Sequence, residues 1–594
     1  MNTEQTGRIP RKPWEDQQGQ LEYTKRFMAS PASWTAALLA ATLLAYLPSF
    51  GARFFLDDFR IILENPLLQD LTDIFAIWRF SEARFIASLT FAANYSLHGD
   101  SVFGYHLVNF AIHLSAGAAL YWLVRGLLEA PVLAPESGNP DWKRWIPWLA
   151  VAIFLLHPLQ TQAITYIVQR YTSLMAMFYL ISMAAFVWAR LRGSMPLFAL
   201  AAIALVLAAL SKQTAATLPL ALVLIELLFF RRLPSRAWIA TLAGAALLAI
   251  ACAWLLTLPA FDIPGLTRET SRISRMDYLA TQMEVLWRYL GLFFLVGEQR
   301  LEYDIAIAHG FSSITTVTMA VGHCALIAVA TAFWRKLPLL TFGILFYYLA
   351  HLIESSFFPI IDVAFEHRTY LPNAGLALTA GWALSLLARR LVRYRAGAVI
   401  SILILLMLAS ATYARNSLWA DRIAFLEHET QVTPNSQRAW TSLGKELMRE
   451  ARFEAALEAL RQATEIAERH EAGALRPPTI LNMIFALHYT DRNREAIELA
   501  RNTPLDRFSA TERAYYFEAR GRSYLALGEA LRAREDLVRS ARLNPTINVI
   551  AYLAAAEFEL GNRARARELV RQVLEAAPDN PLARDLLRRL QRNP

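Results

Sequence analysis

The chain has only two cysteines in 594 residues, and only 18% of it is charged. So few thiols exclude a disulfide-stapled framework, and Cys252 and Cys324 both fall inside apolar runs, where thiols are packed or lipid-facing. A glycine-rich phosphate loop is missing too, which excludes the common nucleotide cradles. No cleavable leader is expected, because the opening residues are polar and basic and no small-residue cleavage site follows the apolar run from Ser33 to Phe50. What the chain has in excess is apolar surface. Hydrophobic residues make up 55% of it and the mean hydropathy is +0.30, more than a soluble chain of this length can hide. In such a chain a net charge of +9 implies cytoplasmic anchoring by Lys and Arg and no nucleic-acid partner.

A membrane-spanning helix needs roughly 20 mostly apolar residues, and about eleven stretches qualify: 33–50, 104–128, 145–162, 166–190, 195–211, 214–230, 236–257, 312–334, 337–353, 373–389 and 396–414. Basic residues punctuate every second connection, among them Lys143 and Arg144, Arg190 and Arg192, Arg335 and Lys336, and Arg389 and Arg390. That alternation predicts a cytoplasmic N-terminus. The stretch 281–296 is apolar but interrupted by Glu284 and Arg288, and is expected to lie in the outer interface. The expected architecture is all-α, with a tail over 1–32, a polytopic membrane domain over 33–415, and a soluble extracytoplasmic domain over 416–594.

In that last third the pattern becomes a repeat of about 34 residues, the period of tetratricopeptide (TPR) helix pairs. Trp440, Leu443, Gly444 and Leu447, followed by Ala456, Leu460 and Ala463, form the clearest copy. Gly521, Tyr524, Ala533 and Leu537 belong to another, and Leu553, Ala566 and Val570 to a third, while the copy near Asn482 to Ala500 is degenerate. Such arrays form α-solenoids whose concave face binds partners and does no chemistry, so the array is expected to capture a protein.

Four polar clusters fall on the connections opposite the basic ones. Ionisable groups at membrane depth cost on the order of 2.5–3.5 kcal/mol each on insertion scales, so a gathering of them marks a site. Asp57-Asp58 stands among Phe54, Phe55 and Phe59, where a carboxylate can serve as general base for a hydroxyl or simply cap the next helix. HPLQTQAITYIVQR runs from His157 to Arg170, and Lys212 lies in SKQ. Either cation can meet a lipid phosphate or snorkel to the interface. AFEHRTYLP packs Glu366, His367, Arg368 and Tyr370 into one connection, where a guanidinium can grip phosphate and a carboxylate can orient it. No spacing is diagnostic of a metal site, and none is expected.

Taken in order, LDDFRIILENP at 56–66, HPLQTQAITYIVQR at 157–170, SKQTAATLP at 211–219, FEHRTYLPNAG at 365–375, and LEYD at 301–304, with the repeat tail, resemble the transmembrane-and-TPR O-mannosyltransferases, a family of the GT-C glycosyltransferases. The resemblance implies an inverting membrane glycosyltransferase, multi-pass in a bacterial inner membrane. It would take a sugar from a polyprenyl-phosphate donor and pass it to a hydroxyl of an exported protein held in the TPR groove, with no cofactor beyond the donor. It further implies Asp57 and Asp58 as catalytic acids. Arg170, Lys212, Glu366, His367 and Arg368 would bind the donor phosphate, and His157, Tyr303, Asp304 and Tyr370 would line the site. Two departures stand out: Gln213 follows the lysine where an acid is expected, and Gln162 takes the place of a Glu. A glycan or lipid acceptor, or a transporter with a TPR docking scaffold, are the alternative readings of the same residues.

Overall fold

The computed structural model describes residues 31–134, 141–230, 270, 272–390, 394–470 and 475–592. The basic tail, Cys252 and the candidate span 236–257 lie outside these. The described residues form helices and connections, and the chain divides into two compact units, 1–421 and 422–594.

Among the described residues of the first unit six helices are long and apolar enough to cross a membrane: Pro31–Gly51, Val102–Glu129, Ile167–Arg192, Gln213–Phe230, Ile314–Ala332 and Ala396–Ala420. Several such helices fit a multi-pass membrane protein, and among the described residues some of the expected stretches are short, broken or more polar. Met195–Ala209 and Pro338–His351 are apolar but short. Pro372–Arg390 forms a helix that carries Asn373, Ser385 and two terminal arginines, and it falls outside the set. The stretch 145–162 is a broken pair, Trp145–Leu156 and Pro158–Thr165, bent by 55°. Proline after His157 explains the break, since it lacks an N–H and pushes its predecessor out of the helical region. Residues 281–295 of the stretch expected in the interface fall in the helix Arg275–Leu295, which Val296 caps and which buries Tyr278, Gln282, Val285, Leu286 and Tyr289 along one face.

The second unit pairs its helices as the repeat predicts: Gln437–Arg449 with Phe453–His470, Pro477–Tyr489 with Asn493–Arg501, Ala510–Ala526 with Ala530–Leu543, and Ile547–Glu559 with Arg563–Ala576. The glycines are there for close approach. A Cβ on Gly444 would stand 2.6 Å from Leu460 Cγ, and one on Gly521 would stand 2.9 Å from Leu537 Cγ. The degenerate copy has the shortest second helix, nine residues against 14 in the two pairs that follow.

Candidate active site

The acidic turn is held in an uncommon backbone conformation. Leu56, just ahead of the two aspartates, has φ +41°. A side-chain-bearing residue keeps that conformation only where its surroundings enforce it, at a cost of order 1–3 kcal/mol. Asp58 does the enforcing. Its side chain is 1% exposed, with Oδ2 accepting from the Phe55 N–H at 2.9 Å and Oδ1 from the Val168 N–H at 2.8 Å. The Asp57 N–H donates to the Tyr166 hydroxyl at 3.0 Å. With both ends pinned, the Asp57 side chain is left exposed. Burial pushes the Asp58 carboxyl up to about 8, ahead of the opposing pull of the two N–H donors and of the Arg170 charge. The adjacent acids therefore differ in kind: Asp58 fixes the turn and Asp57 is the one presented.

Every other polar cluster meets the same stretch of chain that holds this turn. At its start, His157 sets the bend. Its Nε2–H donates to the Phe293 carbonyl at 2.9 Å, its Nδ1 accepts from the Leu159 N–H at 3.2 Å, and its ring stacks on Phe293 at 4.5 Å. Farther along, Gln162 Oε1 accepts the His367 backbone N–H at 2.6 Å. That bond fixes which end of the amide is oxygen. The same oxygen lies 3.1 Å from His367 Nδ1, so Nδ1 carries a proton. Burial, with the Lys212 cation nearby, pulls the imidazole well below its ordinary range. His367 is thus neutral and its Nε2 is an acceptor, suited to a hydroxyl and not to a phosphate.

Arg170 is 0% exposed and fully committed inside the fold. Nε donates to Asn109 Oδ1 at 2.6 Å, Nη1 to the Thr90 carbonyl at 3.2 Å, and Nη2 to the Tyr105 carbonyl at 3.1 Å, with the Phe91 ring 4.4 Å from the guanidinium carbon. Asn109 in turn donates to the Ile164 and Ile167 carbonyls at 2.9 and 3.3 Å, so Arg170 braces the stretch that holds the turn.

Lys212 is buried against this stretch, with Nζ 3.0 Å from Thr172 Oγ1 and 2.8 Å from Glu354 Oε1. Glu354 therefore supplies the acid expected after the lysine, where the sequence has Gln213. Burial would raise the Glu354 carboxyl, but the Lys212 and Arg368 charges hold it down at about 2. The Tyr278 hydroxyl donates to the Glu354 carbonyl at 2.6 Å and also bonds the Arg368 side chain. Arg368 itself is oriented by backbone carbonyls, with Nη1 3.2 Å from Val363 O and Nη2 2.6 Å from Asp362 O. A third cation joins them. Arg84 lies over the Tyr171 ring at 4.8 Å, its segment is tied to the lysine loop by the Ile86 N–H to the Leu210 carbonyl at 3.0 Å, and its charge reaches both Lys212 and His367.

The remaining expected residues form the frame. Glu366 is 0% exposed and accepts from Tyr303 Oη at 2.6 Å, Gln299 Nε2 at 2.8 Å and the Arg300 N–H at 2.6 Å, so it pins the 299–303 segment; burial raises its carboxyl. The Tyr370 hydroxyl is 2.8 Å from His113 Nδ1, inside the core. Asp304 is exposed beside Tyr303. Among the described residues no three His, Cys, Asp or Glu side chains gather closely enough to hold a metal ion. The fold thus brings Lys212, His367 and Arg368 together around Glu354, sets the exposed Asp57 on a turn tied to the same 157–172 stretch, and places Asp58, His157, Arg170, Tyr303, Glu366 and Tyr370 in the frame. Glu354, Arg84 and Tyr278 had no signal in the sequence, because each is an isolated polar residue whose partner is distant in the chain.

Residues 437–470 match the family model of the tetratricopeptide repeat. The chain is 26% identical over 434 residues to a protein O-mannosyl-transferase of Caenorhabditis elegans, covering 69% of this chain and 59% of that one. It is 24% identical over 506 residues to protein O-mannosyl-transferase Tmtc3 of Drosophila melanogaster, covering 72% of this chain and 54% of the relative. The chain therefore spans between half and two thirds of the length of these relatives. Against solved structures it aligns with a chain of the APC/C hetero-tetramer Cut9–Hcn1 at 14% identity and a TM-score of 0.25, over 87% of this chain and 92% of that one. That score is too low to bear on the fold.

Proposed function

We propose, from the premise that its homologues are protein O-mannosyl-transferases of the transmembrane-and-TPR kind, that this chain transfers a sugar from a polyprenyl-phosphate donor to a hydroxyl of an exported protein. The observation that supports the reading is that the turn presenting Asp57, the lysine loop and the 366–368 segment are all tied to one stretch of chain, through Tyr166, Thr172 and Gln162. In the reaction, the acceptor oxygen attacks the anomeric carbon and its proton passes to Asp57. The bond from that carbon to the phosphate oxygen breaks, with inversion. The electron pair stays on the phosphate, where Lys212, Arg368 and Arg84 neutralise it. His367 Nε2 accepts from a hydroxyl of the sugar or of the acceptor. The TPR unit captures the acceptor chain. The alternation of basic connections supports a cytoplasmic N-terminus, with the site and the TPR unit on the far side of a bacterial inner membrane. The chemistry calls for no cofactor beyond the donor.

The test replaces the two aspartates separately in the full-length protein and measures transfer from a polyprenyl-phosphate mannose donor to exported-protein acceptors. Asp57→Asn is expected to lower turnover by about 10²–10⁴-fold with thermal unfolding unchanged. Asp58→Asn loses a hydrogen bond at a buried turn and is expected to lower stability by about 1–3 kcal/mol. Full transfer by folded Asp57→Asn protein would refute the assignment.

A further inference from the structure

We propose that Glu354 is the displaceable counterion of the donor-phosphate site: its carboxylate holds Lys212 before the donor binds, and the phosphate takes its place. The inference rests on the reading of Lys212 and Arg368 as phosphate ligands.

Its basis is geometric. The Lys212–Glu354 pair is short, 2.8 Å, and its side chains are only 7% and 14% exposed. A buried ammonium without an anion is costly, so the lysine needs a partner whenever phosphate is absent. Two cations, Lys212 and Arg368, act on this carboxylate, and the charge of a third, Arg84, reaches Lys212. The contrast with Glu366 is informative. Glu366 accepts three hydrogen bonds from Tyr303, Gln299 and Arg300 and is fixed in the frame. Glu354 is anchored through its backbone, by Tyr278 on its carbonyl, while its carboxylate meets the mobile end of a lysine. Lysine is the cation for such an exchange, being a point charge on a flexible stem with three rotatable donors.

The reaction gives the exchange a purpose. A sugar-linked lipid phosphate is a diester with one negative charge. Cleavage leaves a monoester carrying about −1.5 to −2 at neutral pH, by analogy with other phosphate monoesters. The cations therefore hold product more tightly than donor. A resident carboxylate that competes for Lys212 weakens the hold on both, and so lets the spent carrier leave.

The experiment uses full-length protein and a short-chain polyprenyl monophosphate as the probe. Glu354→Gln is expected to bind it about tenfold or more tightly than wild type, and to show a lower KM for donor together with a lower kcat. It is also expected to unfold at a lower temperature than wild type without the probe and at the same temperature with the probe in saturation, since ligand binding stabilises by mass action. Glu354→Asp keeps the charge and withdraws it from the lysine. It is expected to fold and to bind the probe with intermediate affinity, which keeps the idea testable if the glutamine variant does not fold. A purely structural pair predicts otherwise: Glu354→Gln would remain equally far below wild type with and without the probe, and Glu354→Asp would bind no more tightly. Either result overturns the counterion role. Failure of the underlying reading looks different, because wild type would then not bind the probe, or Lys212→Gln would bind it as wild type does.

Discussion

The membrane unit and the repeat unit use charge in opposite ways. In the repeat unit many ion pairs lie on the outside, between residues one helical turn apart. Arg565–Glu568 and Arg588–Asp585 are two such pairs, with every side chain more than 40% exposed. They solubilise a helix face and add little stability. Buried pairs there, Arg520–Asp536 and Arg522–Glu518, sit against the rings of Tyr516 and Tyr552 within the array. In the membrane unit Arg170, Lys212, Glu366, His367 and Arg368 are each less than 9% exposed, and all belong to the network around the acidic turn. Where desolvation costs most, each of these groups is held by hydrogen bonds or an ion pair inside the fold. That internal support distinguishes a site from a decorated surface.

Substitutions of equal chemical size should therefore have very unequal effects. Arg170→Met is expected to have the largest, because it leaves Asn109 and the Thr90 and Tyr105 carbonyls without their buried donor. Thermal or chemical unfolding of the membrane unit should show a loss of about 3–5 kcal/mol. If the loss is small, the arginine is no brace and the contrast between the units weakens. Gly521→Ala comes next. Its Cβ meets Leu537 Cγ at 2.9 Å, so the helix pair must separate, at about 1–3 kcal/mol. Helical-signal melting should show the repeat unit losing stability while donor binding by the membrane unit is unchanged. The smallest effect is expected from Arg565→Ala, which breaks an exposed pair and should shift stability by less than ~0.5 kcal/mol in the same melting measurement.

The two units also differ in how much of them was legible. The repeat unit follows from local rules: small residues at Gly444 and Gly521 and a fixed period give helix pairs whose contacts are made with the next few dozen residues. In the membrane unit apolar length identifies candidate spans but does not count them. Proline at 158 breaks one, Met195–Ala209 and Pro338–His351 fall short, and Pro372–Arg390 is too polar for the set. The acidic turn, the lysine loop and the Glu366–Arg368 cluster all stood out in the sequence as polar residues in apolar surroundings. Their division of labour did not. Nothing in the letters separates Asp57 from Asp58; a strained φ at Leu56 and two N–H donors do.

The sequence by itself determined the class of molecule: helices, a lipid-facing portion, a repeat array, and a small set of ionisable residues too costly to be incidental. Those properties depend on composition and short-range periodicity, which a linear chain carries in full. Only the tertiary structure decided which of these residues are presented and which are braces, that His367 is an acceptor, and that Glu354 and Arg84 belong with Lys212. Such roles depend on burial and on hydrogen-bond partners distant in the chain, 205 residues for Gln162 and His367 and 257 for His113 and Tyr370, and desolvation is a property of the folded surroundings rather than of the residue.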